Sequence, residues 1–302
     1  MLAVVIISWN VRELLHNCLQ SLYTDLIQAG VAARVIVVDS ASTDGSVDMV
    51  KASFPQTELI SNETNVGYVR GNNLALKRLS MSDSDLAVNG SGLGQMNAPN
   101  RLPFASLEYI WFLNPDTLVL PETTQKLLTF MQQHPHCGLC GPKLVNPDGT
   151  LQHGAFAFPG IVQLALETHP PLWRFRGTRL DGRYPKSRYE SKTPFRIGHP
   201  LGAAMLARAS AIAQVGALDE GYEMYAEEVD WAMRMSRAGW ERWCVPGAVV
   251  VHYGGASSAQ ASERSERIKW RSRLRYYARY YPPIKREIAM KLVPKAYRVV
   301  SE

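Results

Sequence analysis

The sequence predicts an α/β fold: a mostly parallel, doubly wound sheet with helices on both faces. Three observations predict it: short apolar runs without alternation, helical apolar periods between them, and turn residues where the runs end. Residues 3–8 (AVVIIS) read as a strand buried on both faces. Asn10 can cap the next helix, where Leu14, Leu15, Cys18 and Leu22 recur at helical spacing. Residues 34–38 give a second strand, closed by a turn rich in Ser, Thr, Asp and Gly. Asp44 or Ser46 can cap the helix that follows. A weaker strand spans 57–60 and a third helix 72–79. Residues 80–106, rich in Ser, Asn, Gly and Pro, have no period and read as a flexible insertion. The run 109–113 (YIWFL) is a central strand. Pro121 suits the first position of a helix reaching Gln133, and 138–144 is a further strand. Aromatic, Pro and Arg residues then crowd 156–195, as in long loops around a cleft. Strands at 201–207 and 245–251 complete the pattern.

A chain of 302 residues, 46% hydrophobic and 20% charged, can bury a full core. The expected organisation is one α/β domain over 1–260 and a basic helical tail over 261–302. No apolar run approaches the roughly 18 residues of a membrane span, and none resembles a secretory leader, so a cytoplasmic chain is expected. The net charge of +6 is uneven: from Glu263 onward twelve Lys/Arg face four Glu. In that tail Trp270, Leu274, Tyr277 and Tyr281 form one stripe, with Arg264, Arg267, Arg271 and Arg275 beside it. Such a helix suits either peripheral contact with the inner face of an anionic membrane or packing on the domain with solvated arginines. No nucleic-acid-binding module accompanies the charge, so nucleic acid is not an expected partner. Cys137 and Cys140 have CxxC spacing but no second ligand pair, which favours two small buried strand residues over zinc or redox chemistry.

Ligands of doubly wound sheets sit outside the carboxyl ends of the strands, which directs attention to residues 8–10, 39–42 and 114–116. Asp39 can accept from a base or a ribose there, or simply close a turn. Asn114-Pro115-Asp116 offers oxygen ligands suited to Mg²⁺ or Mn²⁺, or a turn cap. Glu227-Glu228-Val229-Asp230 is either a stabilised first helical turn or, amid Tyr222, Met224, Tyr225, Val229 and Trp231, a partly buried base. In a helix starting there, Glu227 and Asp230 share a face while Glu228 points elsewhere. His252 before two glycines can ligate a cation or bond to backbone.

Taken in order, VVIISWN, VVDSASTDGS, NVGYVRGNN, FLNPDT, GALDEGYEMYAEEVDWAMR and VVVHYGGASS resemble the successive motifs of the family 2 glycosyltransferases, in their rhamnosyltransferase branch. The resemblance covers roughly residues 1–255. It implies a GT-A fold and a UDP- or dTDP-linked sugar donor, with Asn10, Asp39, Arg70, Asn114, Gly202 and Ala203 around the nucleotide and sugar. It implies a divalent cation on Asp116 and His252, and Glu228 as catalytic base with Glu227 in reserve. The implied reaction is an inverting transfer to a glycan or glycolipid acceptor in polysaccharide synthesis. No G-x-G-x-x-G follows the first strand and no P-loop occurs, which argues against nicotinamide, flavin and P-loop enzymes. A sugar nucleotidyltransferase would need a glycine-rich basic loop after the first strand. An inactive nucleotide-sugar or glycan-binding module would not need Asp116, Glu228 and His252.

Overall fold

The computed structural model describes residues 1–81, 104, 106–175, 177–254, 262–294 and 297; most of the expected insertion at 80–106 lies outside them. The strands are β1 (Leu2–Ser8), β2 (Ala33–Asp39), β3 (Glu58–Ser61), β4 (Tyr109–Leu113), β5 (Thr117–Val119) and β6 (Cys137–Val145). They continue with β7 (Leu151–Gln152), β8 (Ala155–Phe156), β9 (Phe195–Arg196), β10 (His199–Pro200), β11 (Ala204–Arg208) and β12 (Glu241–His252). The main sheet runs β3-β2-β1-β4-β11-β6-β12-β5. β1 pairs in parallel with β2 and β4, β2 with β3, and β6 with β12; β11 runs antiparallel to both β4 and β6. Two reversals cancel, so β6 and β12 run in the direction of β1–β4. Their carboxyl ends all reach one edge.

Alternation along the central strands feeds two cores. Ala3, Val5, Ile110 and Phe112 face one, while Leu2, Val4, Ile6, Tyr109, Trp111 and Leu113 face the other. Covered on both faces, such strands need no polar alternate positions, which is why they read as plain apolar runs. Helices α1 (Arg12–Gln28), α2 (Ser46–Ser53) and α4 (Thr123–Gln133) cover the second face. Helices α3 (Gly67–Ser80), α5 (Ile161–Thr168), α7 (Ala209–Val215) and α8 (Glu227–Arg237) cover the first. A short helix, α6 (Lys186–Glu190), lies in the loop-rich second half.

Local chemistry revises several expected boundaries. Asn10 does not cap α1. It takes a positive φ of 51°, and its side chain accepts from the Thr43 amide at 2.8 Å. Asp44 instead accepts the Arg12 amide at 2.8 Å and also binds Ser46, so one carboxylate serves two helix starts. Pro121 precedes rather than opens α4, because Glu122 turns the chain through φ 66°. Helix α3 begins at Gly67, five residues before the expected start, where its φ of 75° suits glycine. Residues 201–203 are not strand: they turn beneath Tyr68 before β11 begins.

The basic C-terminal segment forms two helices, α9 (Ser262–Tyr280) and α10 (Pro283–Leu292), divided at Pro282-Pro283. Trp270, Leu274, Tyr276 and Tyr277 of α9 are buried in the first core beside Tyr222 and Trp231. The aromatic stripe thus faces the protein, and the alternative of packing on the domain describes α9. Among the described residues no helix is long and apolar enough to cross a membrane.

Candidate active site

Four strand ends define the sheet edge. Register places Ser8 beside Asp39 and Ile6 beside Leu113, and His252 is the last residue of β12. The Asn114 amide donates to the Ala203 carbonyl at 2.8 Å, which binds the 201–203 turn to the mouth of β4. Asn114 and Ala203, two sequence candidates from distant positions, meet there.

Asp39 is buried at the end of β2. One carboxylate oxygen accepts the Ser42 amide at 2.9 Å, while Oδ1 has no partner among the described residues. The hydroxyls of Ser8 and Ser40 beside it are also buried and unpaired. Such orphan groups carry a desolvation cost of about 1–3 kcal/mol each, so their clustering calls for a ligand that supplies partners. The loop holding them is fixed by its backbone: Ser40 N donates to Ser8 O at 2.8 Å, and Asn62 donates twice to the Asp39 carbonyl.

Asp116 and His252 form the second element. Strands β5 and β12 pair antiparallel, with His252 opposite Thr117, and this brings Asp116 Oδ1 within 3.4 Å of His252 Nε2. Both are buried. The separation is longer than a strong charge-assisted hydrogen bond, and a divalent cation bonded to both atoms at about 2.0–2.2 Å fits it. Aspartate and imidazole suit Mn²⁺, and Mg²⁺ accepts the oxygen. Among the described residues no cluster of three or more His, Cys, Asp and Glu forms a metal site, so most of the ligands would come from phosphate and water. Gly254, one of the two expected glycines, sits over the imidazole at φ 70°, and Gly255 lies outside the described residues.

The acids of α8 form the third element. Tyr225 and Ala226 both take positive φ (66° and 65°), a strain of order 1–3 kcal/mol each that is tolerated where the surroundings enforce it. This kink starts the helix so that Glu227 and Glu228 are both buried, each with one oxygen unpaired. Glu228, which helical spacing turns off the face shared by Glu227 and Asp230, is thus buried as well. Asp230 is the residue that leaves the acidic group: it accepts Tyr280 Oη at 2.6 Å and Arg234 Nε at 2.8 Å, and lies 3.1 Å from Arg279. Burial, and then the charge of Glu228, raise Glu227 well above the ordinary carboxylate range; burial also raises Glu228.

Tyr68 joins the acids to the strand ends. Its hydroxyl donates to the Gly202 carbonyl at 2.9 Å, and its phenol is pushed up by burial and then by the charges of Glu227 and Glu228. Sequence reasoning missed Tyr68, although it lies inside NVGYVRGNN. An aromatic residue in the first turn of a helix at a strand mouth was the available signal. Arg70 stands apart. Its side chain is largely exposed, and its Nε lies 3.5 Å from Glu220. The four cysteines are buried and unbridged, and burial pushes the Cys18 thiol up to about 12.

Comparison with known proteins agrees with this fold. The chain superposes on a mannosyltransferase from Pyrobaculum calidifontis in complex with GDP-Man and Mn²⁺ (TM-score 0.56, 14% identity, 95% of this chain and 67% of that one). It also superposes on GalNAc-T7 with UDP, GalNAc and Mn²⁺ (TM-score 0.53, 14% identity, 83% of this chain and 43% of that one). The fold is of the GT-A type. Residues 3–83 match the Glycosyl transferase family 2 profile. The N-acetylglucosaminyl-diphospho-decaprenol L-rhamnosyltransferase of Mycobacterium tuberculosis is 28% identical over 234 residues, 75% of this chain and 68% of that protein. Rhamnosyltransferase WbbL of Escherichia coli strain K12 is 35% identical over 178 residues, 57% of this chain and 62% of that protein. The likeness is thus to family 2 glycosyltransferases of the rhamnosyltransferase-like branch, as the motifs implied.

Proposed function

We propose that the chain transfers a sugar, rhamnose in the first instance, from a dTDP- or UDP-linked donor to a glycan or lipid-linked glycan acceptor, with inversion at the sugar C1. The observation that supports it best is the placement of orphan polar groups and buried acids along one sheet edge. Asp39 with Ser8 and Ser40 offers partners to a base or ribose. Asp116 with His252 suits the diphosphate and its cation, and Glu227 with Glu228 lies beyond Tyr68 and Gly202.

In this reading the residues act as follows. Asp39 orients the nucleoside, and Ala203 and Gly202 line the sugar's path beside Asn114. Asp116 and His252 would hold Mg²⁺ or Mn²⁺, which when bound offsets the charge of the departing diphosphate. Glu228 takes the proton of an acceptor hydroxyl as its oxygen bonds to C1 from the face opposite the C1–O bond that breaks. The raised acid range of the pair keeps that proton affinity high. No residue forms a bond to the sugar. The tested consequence is donor choice: with Mn²⁺ and a panel of nucleotide sugars, slow hydrolysis should favour dTDP-rhamnose. Equal inertness toward every donor, with a folded protein, would refute the enzyme reading in favour of a binding module.

A further inference from the structure

Behind His252 lies a short chain of amides. The Oε1 atom of Gln152 lies 2.7 Å from His252 Nδ1. The orientation of the Gln152 amide is set by its other end: Nε2 donates to Asn146 Oδ1 at 3.1 Å and to the His252 carbonyl at 3.3 Å. Both of those partners are acceptors, so Oε1 must be the atom that faces the imidazole. Asn146 is in turn fixed, because its Nδ2 donates to Thr150 Oγ1 at 2.9 Å and its backbone N to the Thr150 carbonyl at 2.8 Å. These contacts close the hairpin of β6 and β7, in which Gln152 pairs with Leu144. The hairpin thereby presents one acceptor, rigidly, to one ring nitrogen.

An acceptor at Nδ1 requires a proton there. In the neutral ring the lone pair then sits on Nε2, the nitrogen 3.4 Å from Asp116 Oδ1. A lone pair directed at a carboxylate repels it unless a proton or a metal cation lies between them.

The geometry points to Gln152, held by Asn146, as the positioning residue that fixes the His252 tautomer with Nε2 free to accept a cation beside Asp116. This rests on the reading of Asp116 and His252 as a cation pair. Gln152 touches neither substrate nor cation. It acts through the ring, as outer-shell acceptors do in histidine metal sites, where their loss costs about 10- to 100-fold in metal affinity.

The test uses the full chain with two substitutions, Gln152→Leu, which removes the acceptor, and Gln152→Glu, which keeps one. Long-range ¹H–¹⁵N correlation of the histidine ring, on cation-free protein at a pH about two units above the ordinary imidazole value, reads the tautomer. Mn²⁺ titration followed by paramagnetic resonance reads affinity. Wild type and Gln152→Glu should show the proton on Nδ1 of His252, whereas Gln152→Leu should show a mixture. Mn²⁺ affinity should fall about 10- to 100-fold in Gln152→Leu and recover to within a few-fold of wild type in Gln152→Glu. An unchanged tautomer and affinity in a folded Gln152→Leu protein would overturn the assignment. Should that variant fail to fold, Asn146→Leu, which frees the Gln152 amide to rotate, should give the same mixed tautomer, and an unchanged ring there would also overturn it. If wild type binds no Mn²⁺ while the tautomer still shifts, the cation reading fails and the positioning of the ring stands.

Discussion

The two ends of the proposed cleft hold their polar groups by opposite means. At the proposed nucleotide end, neighbouring parallel strands deliver Ser8, Asp39 and Asn114 from a backbone already fixed by its ladder. At the acid end, Glu227 and Glu228 depend on a strained kink and on contacts from a helix some fifty residues further along the chain. Ser272 donates to Met224 O at 2.8 Å, Arg275 binds Asp219 at 3.0 Å, and Tyr280 and Arg279 meet Asp230. The lesson is that the basic C-terminal helix serves as a brace for the acidic loop. Arg275 and Arg279 meet Asp219 and Asp230, while Arg271 and Arg273 meet Glu223 and Glu167.

This difference can be sharpened by substitution. The largest effect is expected from Glu228→Gln, which should lower the transfer rate at saturating donor by about 10³-fold while leaving donor affinity in place. Should Glu227→Gln cost more, the base is Glu227. Next comes Asp230→Ala, which strands the buried side of Arg234 and removes the anchor of Tyr280. Denaturant unfolding should show a loss of about 3–5 kcal/mol. A loss no greater than that of a surface substitution would mean that α9 does not brace the acids. Leu274→Ala, in the core between α9 and the sheet, should cost about 2–5 kcal/mol by the same measurement.

The smallest effect has a sign worth working out. Glu227 has its folded proton affinity raised, first by burial and then by Glu228. Its ionisation therefore costs stability that begins above the unfolded value of 4.5 and grows until the folded value is passed. Glu227→Gln should raise the melting temperature at neutral pH and lose that advantage near pH 4. A melting temperature unchanged across that span would contradict the burial of the charge. The same cause shifts catalysis: transfer should fall on acidification through a value above the ordinary carboxylate range, as the base takes up its proton.

The legibility of the chain follows the same division. Strands β1, β2, β4 and β6 were readable because double burial leaves plain apolar runs, and their ends marked Asp39, Asn114 and Asp116 directly. Three features were not readable. The role of Asp230 as brace rather than site depends on Tyr280 and Arg279, which no local pattern connects to it. Gln152 belongs to a two-residue strand whose meaning comes only from pairing with β6. Asn10 looked like a helix cap because cap and left-handed turn favour the same residue type. The acids themselves were visible as a cluster, and their helix starts at the positive φ of Tyr225 and Ala226.

Calorimetric titration with thymidine monophosphate and thymidine diphosphate, each with and without Mn²⁺, tests most directly whether Asp39 and the Asp116–His252 pair serve one donor. Asp39→Ala should weaken both nucleotides. Asp116→Ala should leave the monophosphate nearly untouched, weaken the diphosphate and abolish its dependence on Mn²⁺. Diphosphate binding that ignores both Mn²⁺ and Asp116→Ala would contradict a shared cleft.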